Sequence, residues 1–254
     1  MLLTKTILAT MQTRIVKLLG TQPMQLIVIT SLYRSQAHLT AYCQRVRQLL
    51  AARPDLPLRF VLVANDATPD ERGQLEALSA DNAQVQVIYT DREPLYASWN
   101  RAIQQAGSSD AHDVFTIWNV DDVRYADGFT AILEQAEAGS SMIDCAYTVR
   151  ERGSRQQQQP VVYNPAHISP KRAVGPFFAF THDLYQRAGG FHEQMRITGD
   201  FEWATRDVVR SVAFGQVDTP VGCFVRHPNT LSGAHNPLEW VEFNTVLIWR
   251  GCYE

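Results

Sequence analysis

Short apolar runs rich in β-branched residues alternate with amphipathic segments over the first half of the chain, and this alternation limits the folds open to it. The runs predicted to be buried strands are 25–30, 58–63, 85–89 and 113–118. The segments between them with helical periodicity are 38–50, 68–79 and 95–106. The pattern predicts an α/β fold of right-handed βαβ units, with a Rossmann-like, mostly parallel central sheet covered by helices on both faces.

The second half of the chain is less regular. Its predicted helices are 128–138, 201–209 and 238–249, and its predicted strands are 142–149, 175–180 and 215–225. Residues 150–170 include four consecutive Gln and show little periodicity, which predicts a loop beside a ligand site. No repeat or interdomain linker interrupts the chain, so residues 25–254 are predicted to form one domain.

Composition argues against several classes of partner. The 254 residues are 45% apolar and carry a net charge of −3, without a segment that mixes Lys or Arg with aromatics as a nucleic-acid surface does. We therefore expect no nucleic-acid partner. The four cysteines lie far apart without a CxxC pair, which predicts reduced thiols rather than a zinc or redox site.

The N-terminal segment is basic and amphipathic. No acidic residue precedes Asp55, and residues 1–54 carry seven basic side chains. Residues 1–24 are predicted to form a helix, and two readings stay open for residues 1–22: packing against the domain or a second subunit of a homodimer, or peripheral contact with an anionic membrane. No apolar run approaches the roughly 18–20 residues that span a bilayer, and no signal-peptide pattern appears. We expect a cytoplasmic protein, with membrane association as the open alternative.

Polar clusters directly follow three of the predicted strands. They are Thr30–Tyr33, Asn65-Asp66 and Asn119–Asp122. Ligands of open α/β sheets bind beyond the carboxyl ends of the strands. The three clusters therefore predict a ligand site at one edge of the sheet.

Asp121 and Asp122 form the acidic part of the third cluster. Adjacent carboxylates raise each other's pKa, and a divalent cation relieves that repulsion. With Asn119 as a neutral oxygen ligand or ribose contact, they would suit Mg²⁺ or Mn²⁺. The alternative is that one carboxylate caps the following helix and the other is solvated.

Two other residues have both a chemical and a structural interpretation. Asp200 follows Gly199 at the start of a predicted helix, where a carboxylate is either a general base or a helix cap. His227 follows the last predicted strand, where it is either a metal or phosphate ligand or a structural histidine.

A series of motifs from about residue 25 to 232 appears in a recognisable order. The motifs are Ser31-Leu32-Tyr33, Val63 to Asp70, Ala97 to Ile103, Asn119 to Asp122, Gly175 to Phe178, Gly189 to Glu193, Gly199 to Trp203, and Arg226 to Ser232. Together they resemble the family 2 glycosyltransferases, which have the GT-A fold. The chain departs from that pattern at Asn65 and Asn119, where the family has acids, and at Gly199, where its acid pair is usually Glu-Asp.

The resemblance implies roles for individual residues. It makes Asp200 the catalytic base. The implied donor-binding residues are Ser31, Tyr33, Asp66, Asn100, Arg101, Asn119, Asp121 and Arg226. The implied acceptor-binding residues are Phe177, Phe178 and Trp203. The metal ligands, for Mn²⁺ or Mg²⁺, would be Asp121, Asp122 and His227. Residues 25–125 would form the nucleotide-sugar-binding half and residues 126–254 the acceptor-binding half, which would include a smaller acceptor-side subregion.

The expected activity is inverting transfer of a sugar from a nucleotide-diphosphate-sugar, by default a UDP-sugar, to a hydroxyl of a glycan or glycoconjugate acceptor. The alternative from another class is a non-catalytic nucleotide- or carbohydrate-binding protein of the same fold, suggested by Asn65 and Asn119. A nucleotidyltransferase is disfavoured because Thr30–Gln36 lacks the Gly-rich phosphate loop.

Overall fold

A seven-stranded sheet forms the centre of the computed structural model, which describes residues 24–107, 110–151, 175–227 and 236–251. Residues 1–23 of the predicted N-terminal helix (1–24) and most of the 150–170 loop lie outside these residues. The strand order in the sheet is β3-β2-β1-β4-β8-β6-β9. The strands are β1 (Leu26–Leu32), β2 (Leu58–Asn65), β3 (Val85–Thr90), β4 (Val114–Ile117), β6 (Met142–Cys145), β8 (Phe178–Thr181) and β9 (Phe214–Val217).

One strand of this sheet, β8, runs opposite to the other six. β1 pairs in parallel with β2 and β4, and β2 with β3, so the carboxyl ends of four strands meet at one edge. β8 runs antiparallel to both β4 and β6, and β9 is again parallel to β6. The predicted mostly parallel sheet is confirmed.

A second sheet of three short strands lies beside the end of β4. It consists of β5 (Val123–Arg124), β10 (Gly222–Arg226) and β7 (Thr148–Glu151), in the order β5-β10-β7. Because β10 ends at Arg226, this sheet carries His227 towards the residues that follow β4.

Helices cover both faces of the large sheet. They are α1 (Gln36–Ala52), α2 (Pro69–Asp81), α3 (Leu95–Gln105), α4 (Ala126–Glu137), α5 (His182–Ala188), α6 (Gly199–Ala204), α7 (Asp207–Arg210) and α8 (Pro237–Trp249). The buried residues of β1 alternate between two cores: Leu26 and Val28 pack with α1, α2 and α4, whereas Ile27 and Ile29 pack with α3, α5, α6 and α8. Burial on both faces explains why the strand sequences are continuously apolar.

Helix α2 shows how local sequence sets an element's start. The Thr68 side chain accepts a hydrogen bond from the Glu71 backbone N–H, and the Glu71 carboxylate accepts one from the Thr68 N–H. This capping box, with Pro69 in the first turn, fixes the residue at which α2 begins.

Three predicted elements are each two elements in the structure. Residues 142–149 form β6 and β7 in different sheets, and residues 215–225 divide between β9 and β10. The predicted helix 201–209 is α6 followed by α7, because Arg206 has an extended ψ of 140° that ends helical hydrogen bonding. Within the described ranges, no helix is both long and apolar enough to cross a membrane.

Candidate functional site

Asn65 links the ends of β1 and β2 to helix α3. Its side-chain Nδ2 donates to Ser31 Oγ at 3.2 Å and to Ser98 Oγ at 2.9 Å, and its Oδ1 accepts from the Glu93 backbone N–H at 3.2 Å. The side chain is buried. An amide suits this position because it both donates and accepts, whereas a carboxylate could only accept. This contact holds Ser31, which is predicted to bind the sugar donor, at the carboxyl edge of the sheet.

Asp66 and Tyr33 stand at the same edge with more accessible side chains. Asp66 is exposed and has a positive φ of 49°, and its backbone N–H donates to the Thr90 carbonyl. The guanidinium carbons of Arg34 and Arg92 lie 5.1 and 4.8 Å from the centre of the Tyr33 ring. This group presents an aromatic face, two positive charges and one carboxylate, a set that can hold a base and nearby phosphate.

Asp121 lies beside His227, as their predicted shared role requires. Asp121 Oδ2 is 2.7 Å from His227 Nε2, and the His227 ring stacks on that of His38 with centroids 5.4 Å apart. The Asp121 side chain is 22% exposed and that of His227 is 8% exposed. His38, which reaches this point from the first turn of α1, was not predicted as a site residue.

A carboxylate and an imidazole side by side are suitable donors for Mn²⁺ or Mg²⁺. Such ions take few protein ligands in nucleotide sites and complete their coordination with phosphate oxygens and water. Among the described residues, no group of three or more His, Cys, Asp or Glu side chains could hold a metal ion. The metal-ligand role of Asp121 and His227 stays a prediction.

Asp122 faces inward, in contrast to the metal-ligand role expected for it. Its Oδ1 accepts from the Val225 N–H at 3.0 Å, and its Oδ2 accepts from Asn119 Nδ2 at 3.2 Å. The residue is fully buried, and burial, together with the nearby Asp121 charge, raises the pKa of Asp122 to about 7. Asp122 thus joins β10 to the turn after β4, and the Asn119 amide is used in the same contact.

Asn100 and Arg101, which were expected to bind the sugar donor, both make their contacts within the protein. The Asn100 Nδ2 donates to the Phe191 carbonyl and to Glu193, and its Oδ1 accepts from Tyr185 and from the Phe191 N–H. These four bonds use the full hydrogen-bonding capacity of the amide, so it fixes the chain around Phe191. Arg101 forms a two-oxygen ion pair with Glu93, at distances from 2.7 to 3.0 Å.

The aromatic residues expected to contact the acceptor are core residues. Phe177, Phe178 and Trp203 are all buried, and the Trp203 indole N–H donates to the Gly189 carbonyl at 2.8 Å. Their rings pack within the two cores, and contact of these residues with the acceptor stays a prediction. Arg226, the last of the residues predicted to bind the sugar donor, is exposed at the end of β10, 4.0 Å from Glu151.

Asp200 lies in the first turn of α6 with part of its side chain accessible. Its Oδ1 accepts from the Phe201 backbone N–H at 2.8 Å and lies 3.2 Å from the Tyr96 hydroxyl. Burial raises the pKa of Asp200 to about 6, although these two hydrogen bonds partly oppose the rise. A carboxylate with such a pKa is ionised at neutral pH and can still accept a proton.

Glu242 from α8 fixes the segment that precedes Asp200. Its carboxylate accepts hydrogen bonds from three consecutive backbone N–H groups, those of Arg196, Ile197 and Thr198, at 2.8 to 3.0 Å. Glu242 was not predicted as a site residue because it lies in an apolar helix, more than 40 residues from the segment that it holds.

No protein-family model and no curated protein matches the chain by sequence. Solved structures match by fold. The mannosyltransferase PcManGT from Pyrobaculum calidifontis, in complex with GDP-Man and Mn²⁺, matches with a TM-score of 0.57 and 15% identity, over 84% of this chain and 59% of that one. TarS of S. aureus matches with a TM-score of 0.61 and 14% identity, over 89% of this chain and 39% of that one.

GalNAc-T7 with UDP, GalNAc and Mn²⁺ matches with a TM-score of 0.61 and 13% identity. The match covers 89% of this chain and 48% of GalNAc-T7, so the chain spans less than two thirds of each of these three proteins. At such identities the likeness establishes the fold. The predicted α/β fold of GT-A type is confirmed, and membership of family 2 stays a prediction.

Proposed function

We propose that this protein is an inverting glycosyltransferase that moves a sugar from a nucleotide-diphosphate-sugar donor to a hydroxyl of a glycan or glycoconjugate. The observation that carries the proposal is the Asp121–His227 pair at the carboxyl edge of the sheet, in a fold shared with glycosyltransferases solved with nucleotide and Mn²⁺. A UDP-sugar is the default donor, and the motif order supports assignment to family 2.

In this mechanism Asp200 accepts the proton of the acceptor hydroxyl while that oxygen forms a bond to the anomeric carbon. The bond between that carbon and the diphosphate oxygen breaks, and the electron pair leaves with the nucleoside diphosphate. Asp121 and His227 would hold Mn²⁺ or Mg²⁺, which when bound offsets the charge on the leaving diphosphate. Asp66 and Tyr33 would bind the nucleoside, and Arg226 would meet the phosphates. Ser31 would supply a hydroxyl at the strand edge.

A second function has one observation in its favour. Asn65 and Asn119 are neutral and are both used in contacts within the protein. A nucleotide- or carbohydrate-binding protein without catalytic activity would retain the fold and lose acids at such positions. The retained Asp121, Asp200 and His227, which would serve the chemical step, favour the enzyme.

A thermal-shift panel tests the donor site directly. UDP, GDP, CDP and dTDP, and their sugars, would each be added with and without Mn²⁺. A ligand at 100 times its Kd stabilises the protein by about 2.7 kcal/mol. We expect one nucleotide to raise the melting temperature more with Mn²⁺ than without it, and we expect Asp121→Asn to remove that extra rise.

The matched control for this variant is Asp127→Asn, which changes a fully exposed aspartate in the first turn of α4. It should retain the Mn²⁺-dependent rise. If no nucleotide shifts the melting temperature of the wild type, the proposed donor class is wrong. If a nucleotide binds but neither transfer nor donor hydrolysis occurs with Mn²⁺, the non-catalytic function is favoured.

A further inference from the structure

Tyr96 in α3 contacts Asp200 from across the site. Its ring is buried, its hydroxyl donates to the Ile197 carbonyl at 2.7 Å, and the same hydroxyl lies 3.2 Å from Asp200 Oδ1. We infer that Tyr96 is a positioning residue for Asp200, whose hydroxyl holds the carboxylate in the orientation that accepts the acceptor's proton. This inference rests on the proposed function, in which Asp200 is the base.

Gly199 makes this contact sterically feasible. A Cβ atom at position 199 would lie 2.6 Å from Cδ2 and from Cε2 of the Tyr96 ring, closer than real Cβ contacts. Any other residue at position 199 would therefore displace either the ring or the backbone beside Asp200. Gly199 and Tyr96 form a matched pair, and the tyrosine ring fills the space beside the base that a side chain would otherwise occupy.

Both ends of the contact are fixed by their surroundings. The Tyr96 ring packs edge-on against Trp99, with centroids 5.0 Å apart, and stacks near Phe191 at 6.1 Å. On the opposite side, the Glu242 carboxylate holds the N–H of Ile197, the residue whose carbonyl accepts the tyrosine proton. The hydroxyl consequently has little freedom to turn away from Asp200.

The Tyr96 hydroxyl has one proton and two acceptors, the Ile197 carbonyl and Asp200 Oδ1. Its contact with Asp200 therefore affects both the orientation of that carboxylate and its pKa. A donor facing a carboxylate favours its ionised form, whereas burial favours the neutral form. The other groups that act on Asp200 are the backbone N–H groups of Phe201 and of Asp200 itself, which favour the ionised form, and the Glu239 carboxylate of α8, which opposes it. Removal of the Tyr96 hydroxyl should therefore raise the pKa of Asp200.

The test is Tyr96→Phe, which deletes the hydroxyl and keeps the ring. The acidic limb of the kcat/KM profile should move to higher pH by roughly half to one unit, the effect of one weak hydrogen bond to a charged group. Above that limb, kcat should fall roughly tenfold because the base is less well oriented, with the donor KM unchanged. Gly199→Ala should also lower kcat, although alanine is the better helix former.

Tyr42→Phe is the matched control. Tyr42 is also fully buried, and its hydroxyl bonds Thr30 on the opposite face of the sheet. The control should lose comparable stability without any movement of the acidic limb. A purely structural role for Tyr96 predicts the same result for both variants.

A direct titration separates this inference from the proposed function. The ¹³Cγ shift of Asp200 would be followed against pH in protein labelled at aspartate, with Asp200→Asn identifying the signal. A higher midpoint in Tyr96→Phe supports the inference even if no transfer is ever detected, in which case only the proposed function falls. An unchanged midpoint together with an unchanged acidic limb overturns the inference, whether or not Asp200→Asn abolishes turnover.

Discussion

Asp200 and Asp122 show how environment gives two aspartates different roles. Both have a raised pKa with burial as the main cause, but Asp200 keeps part of its side chain accessible whereas Asp122 is fully buried. Both oxygens of Asp122 accept hydrogen bonds from the protein, which leaves it a structural link. Adjacent acids in the sequence suggested a common metal site, and the sequence could not show that one of them turns inward.

Asp200→Asn tests the proposed base. The amide retains the size and the contact with the Phe201 N–H but cannot take a proton, so kcat should fall by roughly 10²–10⁴-fold. The donor-induced thermal shift should be unchanged. Asp207→Asn, at an exposed aspartate in the first turn of α7, is the control and should keep wild-type turnover. Near-normal turnover of Asp200→Asn would rule out the assignment.

Asp122→Asn tests the buried link through the dependence of stability on pH. A carboxyl group whose pKa is raised from 3.8 to about 7 on folding binds protons more tightly in the native state, so its contribution to stability is greatest below pH 4 and is lost as the pH rises to 7. Asparagine does not titrate. Relative to that of the wild type, the free energy of unfolding of Asp122→Asn should therefore rise between pH 4 and pH 8. Urea denaturation at a series of pH values measures this difference.

The same variant separates the two roles considered for Asp122. If the side chain is a structural link, Asp122→Asn should keep the Mn²⁺-dependent thermal shift that Asp121→Asn loses. If both variants lost the Mn²⁺-dependent thermal shift, Asp122 would be a metal ligand.

At the scale of elements, α8 fixes the start of α6 through one carboxylate. Glu242→Gln replaces one acceptor oxygen with a donor and leaves a backbone N–H of the 196–198 segment without a partner. Such a loss costs about 1–3 kcal/mol of unfolding free energy, measured by urea denaturation. Glu134→Gln, at an exposed glutamate of α4, should change stability by less than about 0.5 kcal/mol. Equal stability of the two variants would contradict this account of α8.

The boundaries that the sequence missed have physical causes. Residues 142–149 were predicted as one strand because both halves are largely buried and apolar, so no change of pattern marks the passage from one sheet to the other. Helix α6 ends at Ala204 with Thr205 as its C-cap, and neither Gly nor Pro marks this end. Its end is set by Arg206, whose guanidinium pairs with Glu202 and donates to the carbonyls of Ala188 and Gly190.

At the scale of the whole molecule, the first half of the chain was predicted well because local sequence patterns determine its strands, helices and turns. Each strand, helix and turn between residues 25 and 118 has its own signal, and the parallel order follows from the handedness of βαβ units. The second half depends on long-range pairing, such as that of β8 with β4, which local pattern does not encode. The candidate site divides in the same way: Asp121, Asp66 and Asp200 are predicted from strand ends and helix starts, whereas Tyr96 and Glu242 make their contacts across the fold and have no local signal.

β3 lies at one end of the seven-stranded sheet, and so its outer backbone groups could pair with another chain. Two arginines from the neighbouring elements cover its side chains: Arg59 donates to Gln86 at 2.8 Å, and the Arg72 guanidinium carbon lies 4.3 Å above the Tyr89 ring. A pair of positive charges at a sheet edge repels an identical edge from a second molecule. Charges placed in this way disfavour edge-to-edge pairing between two copies of the protein.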